Sequence, residues 1–199
     1  MPEASNSTKE RIVEEAMRLF SEKGYKGASI TQIEAAAGLS PGAGGIYRHF
    51  SSKEELLAAG VRRHLERLDA LREVRQIFNR FGDLKEELAI TARYFLTELD
   101  SQTELLRILV SERRQRPTLL NDAVEGLFAS TYEGFADWLR AVAGPTLGEE
   151  RAMTIATVAL GSLLSSRLLR NVIGVEFLTT EDETIILTWV DMVASLLPQ

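Results

Sequence analysis

Side chains able to do chemistry are few in this sequence, and they do not fall into catalytic groupings. There are two histidines and no cysteine, which removes disulfides, thiolate zinc sites and cysteine nucleophiles. No Ser-His-Asp arrangement, metal-ligand spacing or glycine-rich loop after a strand is visible. Carboxylates such as Glu98 and Asp100 read as solvated charge. We therefore expect no catalytic residue, no metal and no cofactor, and do not read the chain as an enzyme. What the sequence does offer is hydrogen-bond donors in one short stretch: Tyr47, Arg48, His49 and Lys53 supply a hydroxyl, a guanidinium, an imidazole and an ammonium. Such groups suit anions, as do the free N–H groups at a helix start.

Composition neither helps nor hinders that reading. The chain of 199 residues is 45% hydrophobic and 26% charged, ordinary values for a sequence that buries a core. A net charge of −6 is opposite to the basic footprint of many nucleic-acid binders. The first fifty or so residues are nearly balanced, however, so the acidic excess lies further along. The apolar stretch Ala156 to Leu164 is broken by Gly161 and Ser162 and reads as too short for a membrane span. With no apolar opening segment either, the expected location is cytoplasmic.

The elements that position these donors read as helices throughout, since apolar residues recur at three- and four-residue spacing and no run alternates like a strand. Capping boxes, in which a hydroxyl caps the third N–H and an acid or amide reaches back, mark the starts. They are expected at Ser7–Glu10, Ser29–Gln32, Ser52–Glu55, Ser101–Glu104, Thr146–Glu149 and Thr180–Glu183, with an Asp version at Asp83–Glu86. Further helices are expected after Ser40-Pro41 and after Pro117, giving about nine in all. Stops are expected at Gly24, Gly38, Gly82 and Gly144. Leu56, Leu57, Val61, Leu65, Leu68 and Leu71 stripe a long helix reaching about Phe78.

Helix one should bury Ile12, Ala16, Leu19 and Phe20. A short helix around Ile33 follows, then a turn at Gly38-Leu39-Ser40 and a third short helix ending at Tyr47-Arg48-His49-Phe50. Two short helices joined by a tight turn and braced by a preceding helix make a helix-turn-helix. At these residues the sequence resembles the TetR (tetracycline-repressor) family. The resemblance lies in Leu19-Phe20, Gly24-Tyr25, Ala28-Ser29-Ile30-Thr31-Gln32-Ile33, Ala37-Gly38-Leu39-Ser40, Ile46-Tyr47-Arg48-His49-Phe50 and Ser52-Lys53-Glu54-Glu55-Leu56, about a quarter of the chain.

The resemblance implies that Tyr47, His49 and Lys53 hold DNA phosphates, that Thr31 and Gln32 lie near base edges, and that Ser29 caps the second helix beside the backbone. Ser40, Gly42 and Arg48 complete the expected DNA-binding set. Tyr47 could instead be a core aromatic, as Phe50 is expected to be; His64, outside the matching block, reads as structural or exposed. Ser40 and Tyr47 are seven apart where the family usually has five, so Pro41-Gly42-Ala43-Gly44-Gly45-Ile46 carries about two extra residues.

Beyond Leu57 the match is only to length and helical pattern. Phe128, Tyr132, Phe135, Trp138 and Val142 share one helix face, opposite Leu84, Leu88, Ala92, Phe95 and Leu99. Such stripes are ordinary core; the resemblance adds an effector cavity, lined by Phe95, Phe128, Tyr132, Phe135 and Trp138. It also assigns the last two helices, about Thr146–Val172 and Thr180–Leu197, to a homodimer interface through Ile155, Ala159, Leu163, Ile185, Trp189, Val193 and Leu196. Packing within the chain is the alternative for those residues.

The sequence thus predicts an all-α protein with a three-helix, helix-turn-helix DNA-binding domain over residues 1–53 and a helical ligand-binding and dimerisation domain over 54–199. The expected function is DNA-binding transcriptional regulation, as a repressor released by a small, largely apolar effector of unknown identity. Its expected partners are a palindromic double-stranded DNA operator and a second copy of the chain, with no membrane. An adaptor that keeps the fold but binds protein instead of DNA is the alternative.

Overall fold

The computed structural model describes residues 3–78, 83–176 and 179–198, and all regular structure among them is helical. Eight α-helices follow one another: α1 (Glu3–Gly27), α2 (Ile30–Ala36), α3 (Lys53–Phe78), α4 (Leu84–Ser101), α5 (Thr103–Glu112), α6 (Pro117–Ala143), α7 (Glu149–Arg167) and α8 (Asp182–Leu196). Short 3-10 turns at Gly45–Arg48 and Gly144–Thr146 and a π-helical turn at Leu168–Ile173 complete the order. The side chains of Ser7, Leu65, Leu68, Leu71 and Phe78, and the expected stop at Gly82, lie outside the described residues.

Local chemistry accounts for several boundaries. Gly24, at φ 72°, breaks the run of α1 where a stop was expected. Ser29 and Gln32 form both arms of a capping box on α2: Gln32 N–H donates to Ser29 Oγ at 3.2 Å and Ser29 N–H to Gln32 Oε1 at 3.0 Å. At α3, Glu55 N–H donates to Ser52 Oγ at 3.0 Å, but the returning carboxylate takes Ser51 N–H at 2.6 Å. Three expected boxes do not form. Ser101 is the last residue of α4, and its hydroxyl donates back to Glu98 O. The Thr146 hydroxyl donates back to Ala143 O, and α7 starts behind Gly148. The N-cap of α8 is Glu181, not Thr180. Asp83 is the N-cap of α4 but makes no side-chain capping bond. A hydroxyl that bonds backwards to its own turn competes with capping, and spacing alone does not reveal which bond wins.

Packing divides the chain into two compact units, Met1–Asp69 with Glu104–Val124, and Ala70–Thr103 with Glu125–Gln199. This differs from a cut at residue 53, because α5 and the start of α6 belong by packing with the N-terminal helices. In the first unit the expected Ile12, Ala16, Leu19, Phe20, Ile33 and Phe50 are buried, together with Ile46, Leu56, Leu57, Leu105, Ile108 and Leu120. Gly60 lets α3 approach α1, since a Cβ there would sit inside the Met17 side chain.

The second unit is built on α4, α7 and α8. Ala152, Ala156 and Ala159 let neighbouring helices close on α7, and Trp189 of α8 donates its indole N–H to Ala159 O at 2.8 Å. Glu149–Ile173 is long and apolar enough to cross a membrane by length and composition, more than the broken Ala156–Leu164 stretch suggested. Its inner face, however, is core: Ile155, Ala159, Leu160 and Leu163 are buried with Leu88, Leu96 and Val193. A helix buried along one face in a protein core needs no bilayer to explain the apolarity of that face.

Candidate nucleic-acid interface

The interface is built from the α2 N-terminus and the segment that follows α2. Arg11 on α1 donates its Nε–H to Ala37 O at 2.8 Å, clipping the end of α2 to α1. Gly38, at φ 70°, then turns the chain. A third α-helix was expected after Ser40-Pro41; instead Ala43 N–H donates to Ser40 O at 3.2 Å, and Gly42 has φ 80°. Proline second and a positive-φ glycine third is the pattern of a type II turn. Gly44, at φ 70°, resets the backbone, and only Gly45–Arg48 winds as a 3-10 turn. Two left-handed glycines in this stretch cannot continue a right-handed helix.

The side chains of this short turn point in opposite directions. Ile46 and Phe50 are buried in the core, whereas Tyr47 is 56% exposed, Arg48 is exposed and His49 is half-buried. Ser29, Thr31, Gln32, Ser40 and Gly42 are exposed as well. The Gln32 side-chain oxygen is held by the capping box, which leaves its NH2 group as the end free to donate outward.

Lys53 is placed differently from expectation. Its ammonium is turned inward, donating to Tyr25 O and lying 4.3 Å from the centre of the Tyr25 ring. Burial pushes that ammonium below its usual range, with the nearby positive charge of Arg116 adding to the effect. Arg116 itself stacks 3.7 Å from the Tyr25 ring centre, and Glu112, buried on α5, accepts Tyr25 N–H at 3.1 Å. Lys53 thus belongs to a polar cluster around Tyr25, to which sequence reasoning had not assigned Glu112 or Arg116.

Residues 12–59 match the model of the bacterial regulatory proteins of the tetR family. Over 72 residues the chain is 40% identical to the HTH-type transcriptional repressor AcnR of Corynebacterium diphtheriae, which takes in 34% of this chain and 37% of AcnR. Over 84 residues it is 33% identical to YerO, an HTH-type transcriptional regulator of Bacillus subtilis, taking in 42% of this chain but 25% of YerO. The match therefore spans well under half of these relatives. Along nearly the whole length, a transcriptional regulator from Aquifex aeolicus superposes with a TM-score of 0.67 at 25% identity, covering 95% of this chain and 99% of that one. The tetR-family likeness in sequence is thus confined to residues 12–59, and the likeness to this regulator in fold runs along nearly the whole chain. FadR of Bacillus subtilis, 14% identical with a TM-score of 0.64 over 94% of this chain and 98% of its own, shares the fold.

The residues expected to line an effector cavity gather on one core. Phe135 is buried and stacks on Trp138, with ring centres 5.5 Å apart, and also meets Trp189 at 5.9 Å. Phe95, Tyr132 and Trp138 are half-buried against that core, and Phe128 meets Tyr132 at 6.3 Å. Burial pushes the Tyr132 phenol up from its usual range.

Of the expected dimer residues, Ile155, Ala159, Leu163, Trp189 and Val193 are buried within the single chain, whereas Ile185 and Leu196 are half-buried against the same core and keep part of their surface exposed. The outward faces of α7 and α8 carry Thr154, Val158, Ser162, Thr184, Leu187 and Thr188 instead, with Val158 and Leu187 exposed.

Sequence reasoning also missed Arg167 in the second unit. It is buried, with Nη2 2.6 Å from Asp182 Oδ2 and Nε 2.8 Å from Asp100 Oδ1, the latter an ion pair by distance rather than an aligned hydrogen bond. Burial opposes its charge, but Asp182 and Asp100 outweigh that and hold the guanidinium above its usual range. Asn171 braces Asp100 at 2.8 Å.

Proposed function

We propose that this protein is a cytoplasmic, dimeric transcriptional repressor that binds double-stranded DNA through residues 1–53, and that residues 54–199 bind a small, largely apolar effector and dimerise. The observation that carries the reading is Tyr47: an aromatic side chain held out to solvent beside fully buried Ile46 on a fixed turn. A phenol so placed beside Arg48 and His49 presents donors to a phosphate backbone. Thr31 and Gln32, on the capped start of α2, are the side chains offered to base edges in the major groove. Lys53 acts from behind, fixing the Tyr25 carbonyl.

Dimerisation falls to the outward faces of α7 and α8, around Val158 and Leu187. The effector site lies among Phe95, Phe128, Tyr132, Phe135 and Trp138, where aromatic walls and one phenol supply an apolar lining with a polar handle. FadR, of the same fold, was crystallised in complex with stearoyl-CoA, a ligand with a long apolar part. Release requires that the effector prefer a dimer whose two DNA-binding units no longer fit the operator.

A protein-binding adaptor draws on one observation, the inward turn of Lys53, which removes a phosphate donor. Selection of duplexes from a randomised pool by the purified protein, followed by footprinting, separates the two. A repressor dimer yields two symmetric half-sites spaced by a whole number of helical turns; an adaptor enriches no sequence.

A further inference from the structure

Glu34 has no exposed surface, although it lies on a helix of only seven residues, Ile30–Ala36. Its place is set by the helix period: Ile30, Ile33, Glu34 and Ala37 share one face, and that face packs inward. A carboxylate taken out of water persists only if donors replace its hydration. Its hydrogen-bond partners among the described residues are two backbone amides of the segment that follows α2. Gly42 N–H donates to Oε2 at 2.7 Å, and Ile46 N–H donates to Oε1 at 3.4 Å.

These contacts bracket the Pro41–Gly45 stretch, between the end of α2 and the 3-10 turn. Each carboxylate oxygen takes one amide, so a single side chain fixes both the outer end of the type II turn and the start of the 3-10 turn. The Gly42 bond at 2.7 Å has the length of a charge-assisted hydrogen bond, a class roughly twice as strong as neutral ones, and the 3.4 Å contact from Ile46 is the weaker arm. With Ile46 held by its backbone and by its buried side chain, the following residue, Tyr47, is aimed outward.

We propose that Glu34 is a specificity-determining positioning residue that never touches DNA: it fixes the path of the Pro41–Gly45 turn, so that Tyr47 and Arg48 grip phosphates in the one register that brings Thr31 and Gln32 to the base edges. This rests on the DNA-binding reading above. It also means that Gly42 and Ile46 N–H, which a conventional helix start would leave free for a phosphate, are already occupied from inside the protein.

The test compares wild-type protein with Glu34→Ala and Glu34→Gln, using the duplex that wild type selects from a randomised pool and a scrambled duplex of equal length. Glutamine keeps one acceptor oxygen but turns an NH2 group toward the other amide, so it should fall between the other two. The expected result for Glu34→Ala is a loss of about tenfold or more in the ratio of selected to scrambled affinity. Scrambled binding and its salt slope should change little, because Tyr47 and Arg48 stay exposed and can still meet phosphates in other registers. A merely structural role would lower both affinities together. Amide hydrogen exchange at Gly42, measured by NMR without DNA, should accelerate in Glu34→Ala and less in Glu34→Gln. Should Glu34→Ala not fold, Glu34→Gln carries both readouts.

An unchanged affinity ratio in a folded variant overturns the proposal, and so does unchanged exchange at Gly42. A wild-type protein that selects no duplex overturns the DNA-binding reading and the proposal together, which distinguishes that failure from failure of the proposal alone.

Discussion

Each unit of the molecule buries a charged side chain, and each compensates it differently. Glu34 in the first unit is met by backbone amides at Gly42 and Ile46; Arg167 in the second is met by the side chains of Asp100 and Asp182. The difference lies in what each arrangement can fix. Amides cannot move without moving the chain, so Glu34 dictates the path of a turn with little packing of its own. Asp100 lies in the last turn of α4 and Asp182 begins α8, so Arg167 ties the ends of helices whose courses are already set by packing. A charge held by backbone specifies local shape, whereas a charge held by side chains staples elements together.

The largest expected effect comes from stripping Arg167 of its partners. Asp100→Asn with Asp182→Asn leaves a buried guanidinium without a counter-charge and should cost about 3–5 kcal/mol in urea unfolding. Replacing all three by apolar side chains of similar volume should cost far less. If the double variant lost under about 1 kcal/mol, Arg167 would not depend on its carboxylates in the way its burial implies.

Next in size is the turn that Glu34 holds. Gly42 occupies a left-handed backbone conformation with open space around it, whereas Gly45 lacks a positive φ and a Cβ there would make only ordinary contact with Leu39. Gly42→Ala should therefore cost about 1–2 kcal/mol through backbone strain, and Gly45→Ala close to nothing. Equal losses at the two positions would mean that side-chain space, rather than backbone conformation, governs the turn.

Much of this architecture was legible in the sequence, and the failures share a cause. The capped start of α2, the break at Gly24, the long α3 and the burial of Ile33 and Phe50 all follow from local chemistry. Glu34, Glu112 and Arg167 escaped because a charge in a helical sequence is ordinarily read as solvated. Each nevertheless stands on an apolar stripe: Glu34 with Ile33 and Ala37, Glu112 with Leu105 and Ile108, Arg167 with Leu160 and Leu163. A charge in register with buried positions is the available signal. The expected dimer residues meet a different limit, since an apolar face looks the same whether its own chain or a second copy covers it. The shortened third helix shows a third limit: serine-proline announced a helix start, and the positive-φ glycines behind it overrode that local preference.

The smallest effect concerns Glu104 on α5, in the same unit as Glu34 but without backbone donors to match. Burial pushes its carboxyl above the ordinary value of 4.5, with Glu22 and Glu14 adding to the rise and Arg18 and Arg107 opposing it. The folded chain therefore holds this proton more tightly than the unfolded chain, and the ionised form costs stability at neutral pH. That cost is absent below the unfolded carboxylate range and grows as pH rises through it. Glu104→Gln should raise Tm slightly at pH 7, with the gap closing on acidification below about pH 4. A gap of the same size at both pH values would contradict the sign.

The most direct test of the account is a salt titration of DNA binding by fluorescence anisotropy, using the duplex that wild-type protein selects. The logarithm of affinity should fall linearly with the logarithm of salt concentration. Tyr47→Phe should weaken binding about fivefold at every salt concentration, the loss of one hydrogen bond. Lys53→Ala should leave the slope unchanged, because its ammonium faces Tyr25 rather than solvent. No binding by wild type at low salt, or identical affinities for wild type and Tyr47→Phe, would contradict a DNA interface built on this turn.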